Sequence, residues 1–384
     1  MFITSALSCL VLLAVLYLTS ADDDPRNTNR GALAEYSALL DLFDERYIGE
    51  FDISDVTDAA MRAAVASLGD RWSYYMNPLE YAAYQASSDN RYTGIGVGVV
   101  IDEETKGMLV SYVYKNSGAD TAGILTGDII TAVDGESILG FTFDEMRDQL
   151  RRPIGDTVEL TVIRKYEGTI YITVVYAVVF IDPVSYEILD DDIGYLELAN
   201  FDTDAAKMFR SAVEDMVLQG ARAIIYDVRG NNGGRVNEVT GILDFLLPEG
   251  EIFISVDKSG VEKITMSDEA WIDLPAVVLV DSYSYSGAEY FAAMLGEYGY
   301  AEVVGEQTTG KSRMQVTIEL SGGGALHISS SQYLTKERVS LHDTGGLAPD
   351  YVVSLSESDY ALLLSGELEP EADLQLLAAL SLLR

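Results

Sequence analysis

The sequence predicts a mixed α/β protein with a helical N-terminal region, a compact β-rich module and a larger core of alternating strands and helices. Three observations carry this. Leu33, Tyr36, Leu39, Leu40, Phe43 and Tyr47 recur at helical spacing. From Tyr92 to about residue 180, short β-rich runs are punctuated by Gly and Asp turns. After Pro183 strand and helix patterns alternate, the texture of a sheet layered with helices.

The elements follow in order. Residues 1–20 carry no charged side chain and are rich in Leu and Val. About 20 residues of apolar helix match a hydrocarbon core roughly 30 Å thick, so residues 1–21 are expected to be a transmembrane anchor or a signal segment. No Lys or Arg precedes the run and Asp22, Asp23 and Asp24 follow it, so the cationic start of a secretory signal is missing. A second helix over 56–68, stopped by Gly69, completes a helical region over 31–90. The β-rich module, 92–180, reads as strands 96–101, 109–114, 129–133, 158–163 and 170–175 with one helix over 142–150. The core, 181–355, begins with strand 194–198 and a helix capped by Thr203, whose Ala206, Phe209, Val213 and Met216 share a face. Strands 223–228 and 276–280, helix 287–298, strand 302–305 and two strands over 314–320 and 325–330 follow. A leucine-rich helical segment, 356–384, closes the chain.

Composition removes several function classes. With 62 acidic and 25 basic side chains the chain carries a formal charge of −37, a field that repels phosphate backbones, so no nucleic-acid partner is expected. Cys9 is the single cysteine, which leaves neither a disulfide framework nor a cysteine zinc site. His327 and His342 lack metal-ligand company at suitable spacing, and no metal or cofactor is expected.

Three loops, each after a predicted buried strand, are rich in Gly and small polar residues: 229–234 (Arg-Gly-Asn-Asn-Gly-Gly), 281–289 (Asp-Ser-Tyr-Ser-Tyr-Ser-Gly-Ala-Glu) and 305–311 (Gly-Glu-Gln-Thr-Thr-Gly-Lys). Singly, each is an ordinary turn, a helix cap or a solvated lysine. Together they resemble the C-terminal processing peptidase family of serine proteases. Residues 68–75 (Leu-Gly-Asp-Arg-Trp-Ser-Tyr-Tyr) are similar to that family's element before its PDZ domain, and 93–97, 117–124 and 127–135 to the PDZ domain itself.

The resemblance implies a PDZ domain over 92–180, a crotonase-like α/β peptidase core over 181–355, and roles for named residues. Ser286, before a small residue and three before Glu289, takes the nucleophile's place among Ser282, Ser284 and Ser286. Lys311, 25 positions later, takes that of the base, with Gln315 four beyond it. Two departures stand out: Gly287 and Ala288 where Ala and Ser are common, and Ser312 where Gly is usual.

The chemistry is consistent with those roles. A serine hydroxyl needs a neighbouring base, and a lysine serves only when burial holds it neutral. Gln315 is expected to hydrogen-bond and orient that amine. Backbone N–H groups of Gly233 and Gly287 are expected to receive the tetrahedral oxyanion, each worth about 3–4 kcal/mol. Gly94, Ile95, Gly96 and Val97 are expected to bind a peptide carboxylate, with the peptide adding as a strand. The function implied is an extracytoplasmic endopeptidase, membrane-anchored or secreted, that cleaves exported or misfolded proteins caught by their C-termini. An activating partner protein and a homodimer paired through the terminal helices belong to the same implication, although leucines at helical spacing also fit simple core. Two other readings are a catalytically silent PDZ binding protein and a Ser-His-Asp hydrolase using His342 and Asp343, which lacks a Gly-x-Ser-x-Gly elbow.

Overall fold

The computed structural model describes residues 25–365 and 367–384, so the expected membrane segment, 1–21, lies outside the described residues. Among the described residues no helix is long and apolar enough to cross a membrane. The chain divides into two units, one through Ala64 and one from Val65 onward.

The first unit is formed by α1 (Pro25–Arg46) and most of α2 (Ile53–Ala66). Phe51 closes the turn between them, its ring 5.9 Å from Phe43 and 6.4 Å from Tyr47. Leu33, Leu39, Leu42 and Ile48 stay exposed, and α2 buries no residue.

The second unit opens with β1 (Tyr74–Met76) and α3 (Pro78–Ser88), whose start is fixed by Pro78 and by a capping box between Asn77 and Glu80. The β-rich module then runs through β2 (Arg91–Gly94), β3 (Val97–Ile101), β4 (Met108–Val113), α4 (Gly118–Ala122), β5 (Ile129–Val133) and β6 (Glu136–Ser137). It ends with α5 (Phe143–Gln149), β7 (Thr157–Arg164), β8 (Gly168–Val175) and β9 (Ala177–Phe180). Its antiparallel sheet has the order β3-β4-β5-β7-β8, while β2 and β9 pair as the ribbon by which the chain enters and leaves. Alternate residues Val158, Leu160 and Val162 of β7 point into a core shared with Met108, Ile130 and Met146.

The core follows as β10 (Val184–Leu189), β11 (Ile193–Leu198), α6 (Ala205–Leu218), β12 (Ala223–Asp227), α7 (Val236–Leu246), β13 (Gly250–Asp257) and β14 (Glu262–Ser267). It continues as β15 (Ala276–Val280), α8 (Gly287–Glu297), β16 (Ala301–Gly305), β17 (Arg313–Glu319), β18 (Ala325–Leu334) and β19 (Tyr351–Val352). The chain closes with α9 (Glu357–Ser365) and α10 (Leu374–Leu383). One sheet has the order β10-β11-β12-β15-β16-β19, parallel from β11 onward. Every residue of β12 and β15 is buried because helices cover both faces. Ile224, Tyr226 and Val278 pack with Phe209, Ile242 and Phe291 of α6, α7 and α8, and Ile225, Val277 and Leu279 pack with Leu376 and Ala379 of α10.

A second, antiparallel sheet joins β1, β18, β13 and β14, with β17 also on β18. It shows that the expected helical region over 31–90 is not one body. Tyr74–Met76, from before the PDZ-like module, pairs with Ala325–His327, from after it, so that module is an insertion in the core's own sheet. Two further expectations change. Thr203 does not cap α6; its hydroxyl donates to Ser88 O and Asp89, and Asp204, at φ +71°, takes the cap position. The segment 236–267, where no element was expected, supplies α7, β13 and β14.

Candidate active site

The loops after β12, β15 and β16 leave the carboxyl ends of adjacent parallel strands, where α/β sheets open their clefts. They meet at a cavity of about 1080 Å³ whose lining includes Gly233, Ser286, Gly287, Lys311 and Gln315.

The first loop is shaped from inside. Fully buried Asn231 donates through Nδ2 to Leu198 O at 2.6 Å and accepts the Gly233 N–H on Oδ1 at 2.8 Å. That bond corrects the expectation for Gly233, whose N–H is already committed. Among the described residues the N–H groups of Gly287 and Gly234 have no partner, and a methyl on Gly287 would sit 3.5 Å from Gly234 N. Gly233 itself, at φ +88°, is needed for close approach: a Cβ there would lie 2.6 Å from Gly287 N.

The second loop distinguishes its three serines. Ser284 is buried, and its hydroxyl is shared between Val228 O and the Asp281 carboxylate. Ser282 is exposed and outside the cavity lining, whereas Ser286 lines it at the start of α8. Ser286 has φ +57° and ψ −119°, a conformation costing a non-glycine residue of order 1–3 kcal/mol and held here by its surroundings.

Glu289, one turn into α8 and fully buried, holds the second and third loops together. Its Oε1 accepts the N–H of Ser286 at 2.9 Å and of Lys311 at 2.6 Å. Its Oε2 accepts the Thr308 hydroxyl at 2.7 Å and the Gly310 N–H at 2.9 Å. Burial pushes this carboxyl up, and the four donors pull it back only in part. Tyr333, buried on β18, donates to the Lys311 carbonyl.

The Lys311 amine lies 4.6 Å from the Trp72 ring centroid and 5.7 Å from that of Tyr285. Burial brings it down to about 8, against the upward pull of Glu289 and Asp70 and with a smaller downward push from Arg71. Among the described residues it makes no hydrogen bond, to Ser286 or to Gln315. Gln315 departs from its expected role: its Nε2 donates to Arg313 O at 3.0 Å and Ser329 Oγ at 3.1 Å. A bulge between Met314 and Gln315 turns it along the sheet.

The histidines separate clearly. His327 lines the cavity, stacks on Tyr74 and accepts or donates at Nδ1 to Thr317 at 2.8 Å. Burial, helped by the Lys311 charge, holds it down to about 4, so it is neutral near pH 7. His342 and Asp343 are exposed in a turn and do not line the cavity. Among the described residues no cluster of three His, Cys, Asp or Glu side chains could hold a metal ion.

In the inserted module, Gly94, Ile95, Gly96 and Val97 line a groove of about 450 Å³ with Phe143 and Leu150 of the α5 region. The carbonyls of Ile95 and Gly96 accept from Ala119 and Tyr114, while among the described residues the N–H groups of Ile95 and Gly96 have no partner. Gly96, at φ +88°, cannot carry a side chain, because a Cβ would lie 2.1 Å from that of Ser117.

Known proteins match both parts. Residues 109–164 match the PDZ domain model and 192–353 the peptidase family S41 model. A carboxyl-terminal-processing protease of Synechocystis is 30% identical over 334 residues, 85% of this chain and 77% of the relative. The chain belongs to the carboxyl-terminal processing serine proteases of family S41. The carboxy-terminal processing protease CtpA of Bacillus subtilis is 28% identical to this S41 protease over 83% of its chain and 67% of the relative. The crystal structure of a Bacteroides fragilis protein assigned to the S41 proteases shares its fold, with a TM-score of 0.60 at 20% identity over 88% of this chain and 92% of that one.

Glu289, Thr308, Tyr333 and Trp72 are site residues that sequence reasoning gave no role. Glu289 had a local signal, a Glu three residues after a helix-starting serine. Tyr333 has no local pattern, since it reaches the site through sheet pairing, whereas Trp72 falls in the 68–75 segment that the resemblance set apart without giving it a role.

Proposed function

We propose that this S41 protease is an extracytoplasmic endopeptidase with Ser286 as nucleophile and Lys311 as general base, acting on exported or misfolded proteins held by their C-termini in the PDZ groove. The observation that carries the reading is the Lys311 amine, set beside the adjacent rings of Trp72 and Tyr285, its residue lining the same cleft as Ser286, and brought down to about 8. Deprotonated, it takes the Ser286 proton as Oγ attacks the scissile carbonyl, then returns that proton to the leaving amine. The N–H of Gly287, with that of Gly234 beside it, receives the oxyanion, and Gly233 supplies the close backbone approach. Gln315 steadies β17 through Ser329 and acts on the base indirectly.

The free N–H groups of Ile95 and Gly96 support capture of a terminal carboxylate. The uncharged apolar run over 1–21 supports a membrane anchor or secretion signal, with the chain beyond Asp22 outside the cytoplasm.

The test is digestion of unfolded casein by the chain beyond residue 24 and by its Ser286→Ala, Lys311→Ala and His342→Ala variants. Only the first two should lose activity; loss in His342→Ala reopens the histidine alternative. Amidating a substrate's C-terminus should slow cleavage severalfold, and equal rates would remove C-terminal capture. Protease treatment of intact cells should remove the catalytic region.

A further inference from the structure

The Lys311 amine is roofed by a ring from the far end of the sequence. Trp72 lies outside the stretch matched to the peptidase family and before the PDZ domain, yet its ring centroid is 4.6 Å from Lys311 Nζ. Tyr285, next to Ser286, supplies the other ring, 5.7 Å from the amine and 5.7 Å from the indole. We propose that Trp72 is a positioning residue of the peptidase reaction, its indole excluding water from the Lys311 amine and keeping it on the nucleophile's side of the cleft. This rests on the Ser286–Lys311 reading above.

Trp72 is held in place by its neighbours. Its backbone N–H donates to Asp70 Oδ1 at 3.2 Å, and the Ser73 hydroxyl donates to Asp70 Oδ2 at 2.5 Å. Ser329 N–H donates to Ser73 Oγ at 3.0 Å, and the Arg313 guanidinium sits 3.4 Å from Asp70. Ser329 and Arg313 belong to β18 and β17, and β1 begins two residues after Trp72 and pairs with β18. The backbone that carries the indole is therefore fixed to the hairpin that follows the lysine's own loop. The Arg71 guanidinium adds a second cation on the indole, 4.2 Å from its centroid.

A ring over an amine acts in two opposing ways. Excluding water disfavours the ammonium, whereas the electron-rich face attracts it. Exclusion of water is the effect assigned to the indole in this proposal, burial being the largest influence on the amine and outweighing the upward pull of Glu289 and Asp70. Removing the indole admits water and returns Lys311 toward its ordinary value, so less of it is neutral at any pH below that value.

The test is the pH profile of kcat/KM on unfolded casein for wild type, Trp72→Phe and Trp72→Ala. Trp72→Ala should move the acid limb up by about one pH unit and lower kcat/KM at pH 7 about tenfold. Trp72→Phe, which keeps an aromatic cover, should restore most of both. A second measurement avoids activity altogether. The chain has two tryptophans, so in Trp271→Phe the emission comes from Trp72 alone. That emission should titrate with the midpoint of the kinetic limb and lose the transition in Lys311→Met. An unmoved limb in Trp72→Ala, or an emission that ignores Lys311→Met, overturns the inference and leaves the dyad standing. Turnover retained by Lys311→Arg overturns the dyad itself.

Discussion

Glu289 and Lys311 are joined by a 2.6 Å hydrogen bond in which the lysine's backbone N–H donates to Oε1. The same oxygen takes the N–H of Ser286, so the backbones of Ser286 and Lys311 are both positioned from one buried atom.

Glu289→Gln tests that clamp. Glutamine keeps one acceptor oxygen and turns an amide NH₂ toward N–H or O–H groups that now donate to a carboxylate. Each orphaned donor costs about 1–3 kcal/mol, and a displacement of about 1 Å at the site costs on the order of 100-fold in rate. Urea unfolding should show a loss of about 2–3 kcal/mol, and casein turnover should fall by about two orders of magnitude. Wild-type rates in this variant would mean that the shared oxygen does not set the geometry.

The sign of the pH dependence follows from Lys311. A base must be neutral to act, and burial lowers this amine to about 8, so activity should rise with pH through that value and plateau above it. His327, at about 4, contributes nothing to that limb. Lys311→Arg should be as inactive as Lys311→Ala, because a guanidinium stays charged throughout. A profile flat from pH 6 to 9 removes Lys311 as the base.

Gly233→Ala places a Cβ 2.6 Å from Gly287 N and 2.9 Å from Ser286 Cβ, at a φ that alanine resists. The strain of the left-handed backbone is only about 1–2 kcal/mol, so the chain should still fold. Displacement of the Ser286 loop should abolish turnover while leaving peptide binding by the PDZ groove unchanged in a fluorescence titration.

Arg229 staples the C-terminal segment to the start of the first active-site loop. It pairs with Asp227 at 2.6 Å and with Asp373 at 2.8 Å, all three side chains being at most 5% exposed. Burial opposes its charge, but the two carboxylates outweigh this and raise its pKa further. Asp373 also caps α10, accepting the N–H groups of Gln375 and Leu376. Asp373→Ala should therefore cost about 3–5 kcal/mol, and hydrogen exchange in 374–383 should accelerate before that of β12.

Periodicity and spacing made five strands and the second helix of the PDZ-like module and the central strands 223–228 and 276–280 legible, since pleat and burial are local demands that each segment answers alone, whereas the short elements 118–122, 136–137 and 177–180 went unread. The places of Ser286, Glu289 and Lys311 were legible in another way, through the resemblance of their spacing to that of a known family, since each loop alone reads as an ordinary turn, cap or solvated lysine. Other features have no local signature. The pairing of Tyr74–Met76 with Ala325–His327, which brings Trp72 over Lys311, joins segments separated by the whole inserted module. Gly233 lost its expected donor role to Asn231, and Gln315 turned to Ser329, because a buried amide bonds whichever partner the packed loops deliver. Burial is likewise a property of the assembled sheets: the seven-residue loop that carries Lys311 cannot enclose its amine alone, and the rings of Trp72 and Tyr285 reach it from two different elements.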